Sequence, residues 1–124
     1  MSSWKRLKVE QIGSVCIVSF NPTWIADPVL IREIGQELTA LLAQENRSLL
    51  IDCSELDHLN TVLSKSMLSK LKEEVIAAGG ALLFFQVLKG LDVWLKEKGF
   101  IVRESREQAL DFLEAEIQAQ ASVR

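Results

Sequence analysis

Along the chain, apolar residues fall into two kinds of run that follow one another in turn. Short blocks rich in Val, Ile, Leu and Phe suit strands, while longer stretches with an apolar residue every three or four positions suit helices. "LKVEQI" and "VCIVSF", parted by Gly13-Ser14, predict an opening hairpin. "NPTW" then interrupts the strand pattern, because Asn and Pro favour turns. Asp27 and Pro28 predict a helix start, Asp as the cap and Pro at the first helical position. Ile31, Ile34, Leu38, Leu41 and Leu42 carry that helix to about Gln44. "SLLIDC" is a short apolar run, the pattern of a strand covered on both faces.

A second helix is predicted from Thr61 to about Ala78, with Leu63, Met67, Leu68, Leu71 and Val75 inward and Gly79-Gly80 ending it. "ALLFFQV" predicts another buried strand, and "GLDVWLKEKG" a short helix with Leu91, Trp94 and Leu95 inward. "FIVRE" is the last strand. Ser105 and Gln108 form a capping box that opens a helix with Ala109, Leu110, Phe112, Leu113 and Ile117 inward. The order β-β-α-β-α-β-α-β-α predicts an α/β fold with about four helices, in which a mixed, mostly parallel sheet begins with an antiparallel hairpin.

At 124 residues the chain fits one domain, expected over residues 1–118, with residues 119–124 a frayed tail. Hydrophobic content of 48% with 25% charged residues is ordinary for a globular chain. A net charge of −3 without a basic stripe gives no reason to expect nucleic acid. The longest apolar stretch, "ALLFF", is strand-sized, and the N-terminus has no signal-peptide pattern, so no membrane association is expected. Cys16 and Cys53 lie in apolar strand-like segments, which reads as buried free thiols and a cytoplasmic setting.

Enzyme and cofactor signatures are not found. No G-x-x-x-x-G-K-[ST] or G-x-G-x-x-G occurs, and one histidine with two separated cysteines falls short of a zinc site. Cys53 alternates inward while His58 falls in a loop, so the two do not make a nucleophile and base. No cofactor, no metal and no catalytic role are expected.

The phrases "LLIDCSELDHLNT", "AAGG", "ALLFFQV" and "GLDVWLKEKGFIVRESREQALDFL", with "IREIGQELTALL" as first helix, together resemble the STAS domain of anti-sigma factor antagonists. The resemblance runs from about Val9 to Leu113. It implies a single STAS-like domain that binds an anti-sigma factor or related Ser/Thr kinase. Asp52 and Ser54 match the family's Asp-x-Ser, Asn60 its loop Asp, and Thr61 the serine that partner kinases phosphorylate. Val62 and Leu63 stand where the family has Ser and Gly, and the helix to Gly79-Gly80 is about one residue longer. A shift of register would make Ser64 or Ser66 the modified hydroxyl. The implied docking surface comprises Asp52, Ser54, Asp57, His58, Asn60, Thr61 and Lys65, with Trp24 the most exposed aromatic and Trp94 in the core.

Physical chemistry gives Asn60 a role of its own, as the N-cap whose side chain takes a backbone N–H one turn in. Asp52, Ser54 and Asp57 have an equally plain role as loop anchors, with Ser54 and Asp57 bonding nearby amides. A phosphate on Thr61 would meet the positive end of the helix, so the domain tolerates it while a docked partner is repelled. The alternative function is a STAS-like scaffold that self-associates, as a weak homodimer, through its sheet edge or aromatic surface.

Overall fold

In the computed structural model, residues 4–13, 15–44 and 48–122 are described, with side chains in the last helix described to residue 116. The opening hairpin is β1 (Leu7–Ile12) and β2 (Val15–Phe20), antiparallel with Leu7 opposite Phe20 and Ile12 opposite Val15. Ser14 of its turn lies outside the described residues. β3 (Trp24–Ile25) leads into α1 (Pro28–Leu42), where the Asp27 carboxylate accepts from the Val29 N–H at 2.7 Å. β4 (Ser48–Asp52) follows, then β5 (His58–Leu59), α2 (Thr61–Ala77), β6 (Leu82–Phe85), α3 (Leu91–Glu97), β7 (Ile101–Arg103) and α4 (Arg106–Ser122).

The main sheet has the order β1-β2-β4-β6-β7, and every pairing after the hairpin is parallel. β4 is central, and Leu49, Leu50 and Ile51 are buried on both faces, as a continuous apolar run predicts. One face packs against α1, α2 and α3 through Ile34, Leu38, Leu68, Leu71, Val75 and Leu95. The other face, through Ile17, Leu50, Leu83 and Phe85, packs against Ala109 and Leu113 of α4. Ile117 and the tail beyond it lie outside the residues whose side chains are described.

Two glycines shape the helices, one by ending α2 and one by letting α1 and α2 approach closely. Gly79, at φ +80, closes α2: its N–H reaches Ile76 O at 2.9 Å and the Gly80 N–H reaches Val75 O at 3.0 Å, a Schellman turn. Gly35 of α1 faces Met67 of α2 so closely that a Cβ there would stand 2.8 Å from Met67 Cγ. α4 opens on the predicted box, with Ser105 Oγ accepting from the Gln108 N–H at 3.2 Å; Gln108 Oε1 reaches back to the N–H of Glu104, one residue earlier than the motif prescribes.

One strand pairing lies outside the predicted order. β3 and β5, two residues each, pair in parallel as a separate small sheet, with Trp24 beside His58 and Ile25 beside Leu59. This ladder pins the loop after β4 to the segment before α1.

Candidate functional site

The site lies where the chain leaves β4 and enters α2. The Asp52 side chain accepts from the Ser54 N–H at 2.9 Å, an Asx turn that bends the chain off the strand. The anchoring group is thus the Asp52 carboxylate; Ser54 and Asp57 are exposed and take part through their backbone N–H groups. Cys53 points inward and Leu56 is buried, so the loop is held from below. The N–H groups of Asp57 and His58 both donate to Thr23 O, at 2.7 and 3.2 Å, and the Asn60 N–H donates to Ile25 O at 2.8 Å. Glu55 forms an ion pair with Lys8 at 3.1 Å, but both side chains are exposed and water screens the attraction.

Asn60 has extended backbone angles, φ −73° and ψ 102°, and its Oδ1 accepts from the Leu63 N–H at 3.1 Å. It is the N-cap of α2, and Thr61 is the first helical residue, half-buried with its neighbour Val62 84% exposed. Lys65 and Ser66 are exposed.

Ser64 differs from its neighbours: it is fully buried, and its hydroxyl has no hydrogen-bond partner. The buried stripe of α2 is Ser64, Leu68, Leu71 and Val75, with Leu63 turned outward at 42% exposure. Leu63, expected to face inward, is displaced because a stripe fixed by Leu68, Leu71 and Val75 extends backward by four residues onto position 64. Ser64 is therefore out of an enzyme's reach in this conformation, whereas Thr61 and Ser66 are not.

Around the helix start an apolar surface gathers. Trp24, 64% exposed, stacks on His58 with ring centroids 4.6 Å apart. Leu88, exposed, and Lys89, from the loop after β6, meet Thr61 and His58 along an open groove of about 300 Å³, whose far side is Leu91 and Trp94. Trp94 is half-buried and packs against the core, as expected for it. The groove and the Trp24–His58 stack had no signal in the sequence beyond the exposed tryptophan itself. Gln86, ending β6, has φ +53, the one non-glycine in the left-handed region among the described residues, and it turns this loop toward α2.

Chemically the corner offers accessible hydroxyls and apolar contact area. Burial, and secondarily the charge of Asp52, pushes the Cys53 thiol up to about 12, so it stays protonated at neutral pH. Burial likewise raises Cys16, whose Sγ donates to Gln11 Oε1.

By sequence, the chain matches no family model and no curated protein. Its structure does match solved ones. A Thermotoga maritima protein assigned as an anti-sigma factor antagonist superposes with a TM-score of 0.74 at 9% identity, over 87% of this chain and 94% of that one. RsbS from Moorella thermoacetica, carrying a serine-to-glutamate substitution, gives 0.73 at 15% identity, over 92% and 99% of the two chains. The anti-sigma factor antagonist SpoIIAA, in its unphosphorylated form, gives 0.68 at 12% identity, over 87% and 97%.

Proposed function

We propose, from the premise that this chain has the STAS fold of anti-sigma factor antagonists, that it is a non-enzymatic regulatory binding module. Its partner is an anti-sigma factor or a related Ser/Thr kinase, and it works in the cytoplasm. It docks through the loop from Ser54 to Thr61 and the first turn of α2, and phosphorylation of Thr61, with Ser66 the second choice, weakens the contact. What carries the reading is the half-buried Thr61 on the Asn60-capped start of α2, with exposed Val62 and Leu63 beside it, Leu88 across the groove and exposed Trp24 stacked on nearby His58. Scattered exposed apolar residues are ordinary, but four around one helix start, on a backbone tied down by a small sheet, suit a protein contact.

The electrostatic logic of the switch is simple. A phosphate brings about −1.5 to −2 charges. At α2's N-terminus the free N–H groups and helix dipole accommodate them, so the domain stays folded. A partner that has buried Val62 and Leu88 beside that position meets an uncompensated anion instead.

The test is incubation with a cognate kinase and ATP, followed by intact-mass measurement and capture of the partner. A gain of one phosphate on wild type, lost in Thr61→Ala, with capture abolished by Thr61→Asp, supports the reading. No phosphate uptake, with capture indifferent to Thr61→Asp, overturns the switch.

A further inference from the structure

We propose that the groove between α1 and α2 receives α4 of a second copy of this chain, so that copies associate head to tail. The groove has a volume of about 440 Å³ and is open to solvent. At its floor Met67 closes over Gly35, where a Cβ would stand 2.8 Å from Met67 Cγ. Its floor is apolar (Met67 and Leu71) and its rims carry Arg32 from α1 and Lys70 from α2. Arg32 is exposed and forms no ion pair among the described residues. Lys70 reaches only Glu74, at 3.9 Å and with its own side chain 75% exposed, a contact that holds it weakly.

The complementary surface is on the far side of the molecule. α4 covers the opposite face of the sheet with Ala109 and Leu113. Glu107, Asp111 and Glu114 follow at spacings of four and three, on one exposed side of that helix, and form no ion pair among the described residues. Leu110 stands among them, only half-buried. A helix with an apolar residue flanked by acids fits a groove with an apolar floor and basic rims, ridge into groove.

Because the two surfaces are on opposite faces of one sheet, α4 cannot reach the groove of its own molecule. The contact is heterologous: each copy offers α4 to one neighbour and its groove to another, giving open chains or a ring rather than a two-fold dimer. None of the groove's lining residues belongs to the loop from Ser54 to Thr61, so the proposal does not rest on the reading of that corner.

Sedimentation velocity over a concentration series checks it. At low salt the weight-average mass of the wild type rises above that of one chain, and it falls back at 0.5 M salt, about where screening shortens the reach of charge to a few ångström. Arg32→Glu with Lys70→Glu, and separately Asp111→Lys with Glu114→Lys, each sediment as one chain. An equimolar mixture of the two variants associates again, because each reversed groove meets a reversed helix and each native groove a native one. A wild type that stays at the mass of one chain throughout, or an association indifferent to salt or to both pairs of substitutions, overturns the proposal.

Discussion

The Trp24 indole lies over the His58 imidazole, planes 26° from parallel, although the two residues are separated by the whole of α1 and β4. Their backbones pair in the two-residue ladder beneath, so the stack is fixed by its own small sheet. Trp24 nevertheless leaves most of its ring in water. An aromatic held rigid yet exposed loses little entropy when a partner covers it. Trp24→Ala is expected to cost about 1 kcal/mol of stability, the size of one aromatic pair, while reducing partner capture by roughly tenfold or more, as for a hot-spot tryptophan. Urea unfolding and a titration against the partner measure the two separately; equal small effects on both would leave Trp24 a surface ornament.

Asn60 and Thr61 separate the structural role of the corner from the switching role proposed for it. Asn60→Ala removes the bond to the Leu63 N–H and is expected to cost about 1 kcal/mol. Thr61→Asp puts a carboxylate at the helix's positive end and is expected to be neutral or to stabilise by about 0.5 kcal/mol. Thermal unfolding tells the two apart: Asn60→Ala is destabilised and Thr61→Asp is not. A large loss of stability in Thr61→Asp would mean that this position cannot tolerate an anion, and a phosphate switch there would fail.

Much of this fold was legible because its signals are periodic or local. The hairpin, the caps at Asp27, Asn60 and Ser105, and the Gly79-Gly80 stop each rest on a few adjacent residues. The β3–β5 pairing was not legible, since two residues cannot display an alternation and the partners meet only after α1 and β4 have folded. The burial of Ser64 is illegible for a different reason. Position 64 is the continuation of the buried stripe, but a serine there reads as surface, so the apolar pattern points to Leu63 instead. The candidate site was accordingly visible as a helix start, while its apolar surroundings at Leu88 and Trp24 depended on tertiary approach.

Cys53 gives a pH-dependent expectation. Its thiol titrates near 12 in the folded chain against an ordinary value of 9.0, because burial disfavours the thiolate. A group raised in the folded state contributes stability fully below its unfolded value and loses that contribution as pH climbs toward the folded one. Stability from this residue should therefore be constant to about pH 8 and decline from pH 9 toward 12. Cys53→Ala would flatten that part of the curve, and alkylation of native protein at pH 8 should be far slower than after unfolding. Rapid native alkylation would show that the thiol is not sealed in the core.

The unpartnered hydroxyl of Ser64 is a cost without a visible return. A buried hydroxyl that gives up water without gaining a partner loses free energy, and alanine is also the better helix former. Ser64→Ala is expected to stabilise the chain by about 1 kcal/mol, read as a higher urea midpoint at unchanged slope. Phosphate uptake should be unaffected. A destabilised Ser64→Ala would instead reveal that the hydroxyl is bonded in solution.

Val62 and Leu63 are where this chain parts from the Ser-Gly that the resemblance would place after Thr61, and both side chains face water. The exposed β-branched Val62 is not there for helix stability, since valine is a modest helix former and its side chain is 84% exposed. Val62→Ser should therefore change stability by no more than about 0.5 kcal/mol, the usual range for an open surface position. If the apolar pair serves to be covered by a partner, the same substitution removes buried methyl groups from that contact and weakens capture by several-fold, at about 25 cal/mol per Å² of apolar area lost. Leu63→Gly adds a separate cost of about 1 kcal/mol within the helix, so it cannot report on binding unless normalised by its own unfolding curve. The informative variant is Val62→Ser: stability held while capture falls would tie the departure to partner choice, and capture held as well would place the contact elsewhere on the corner.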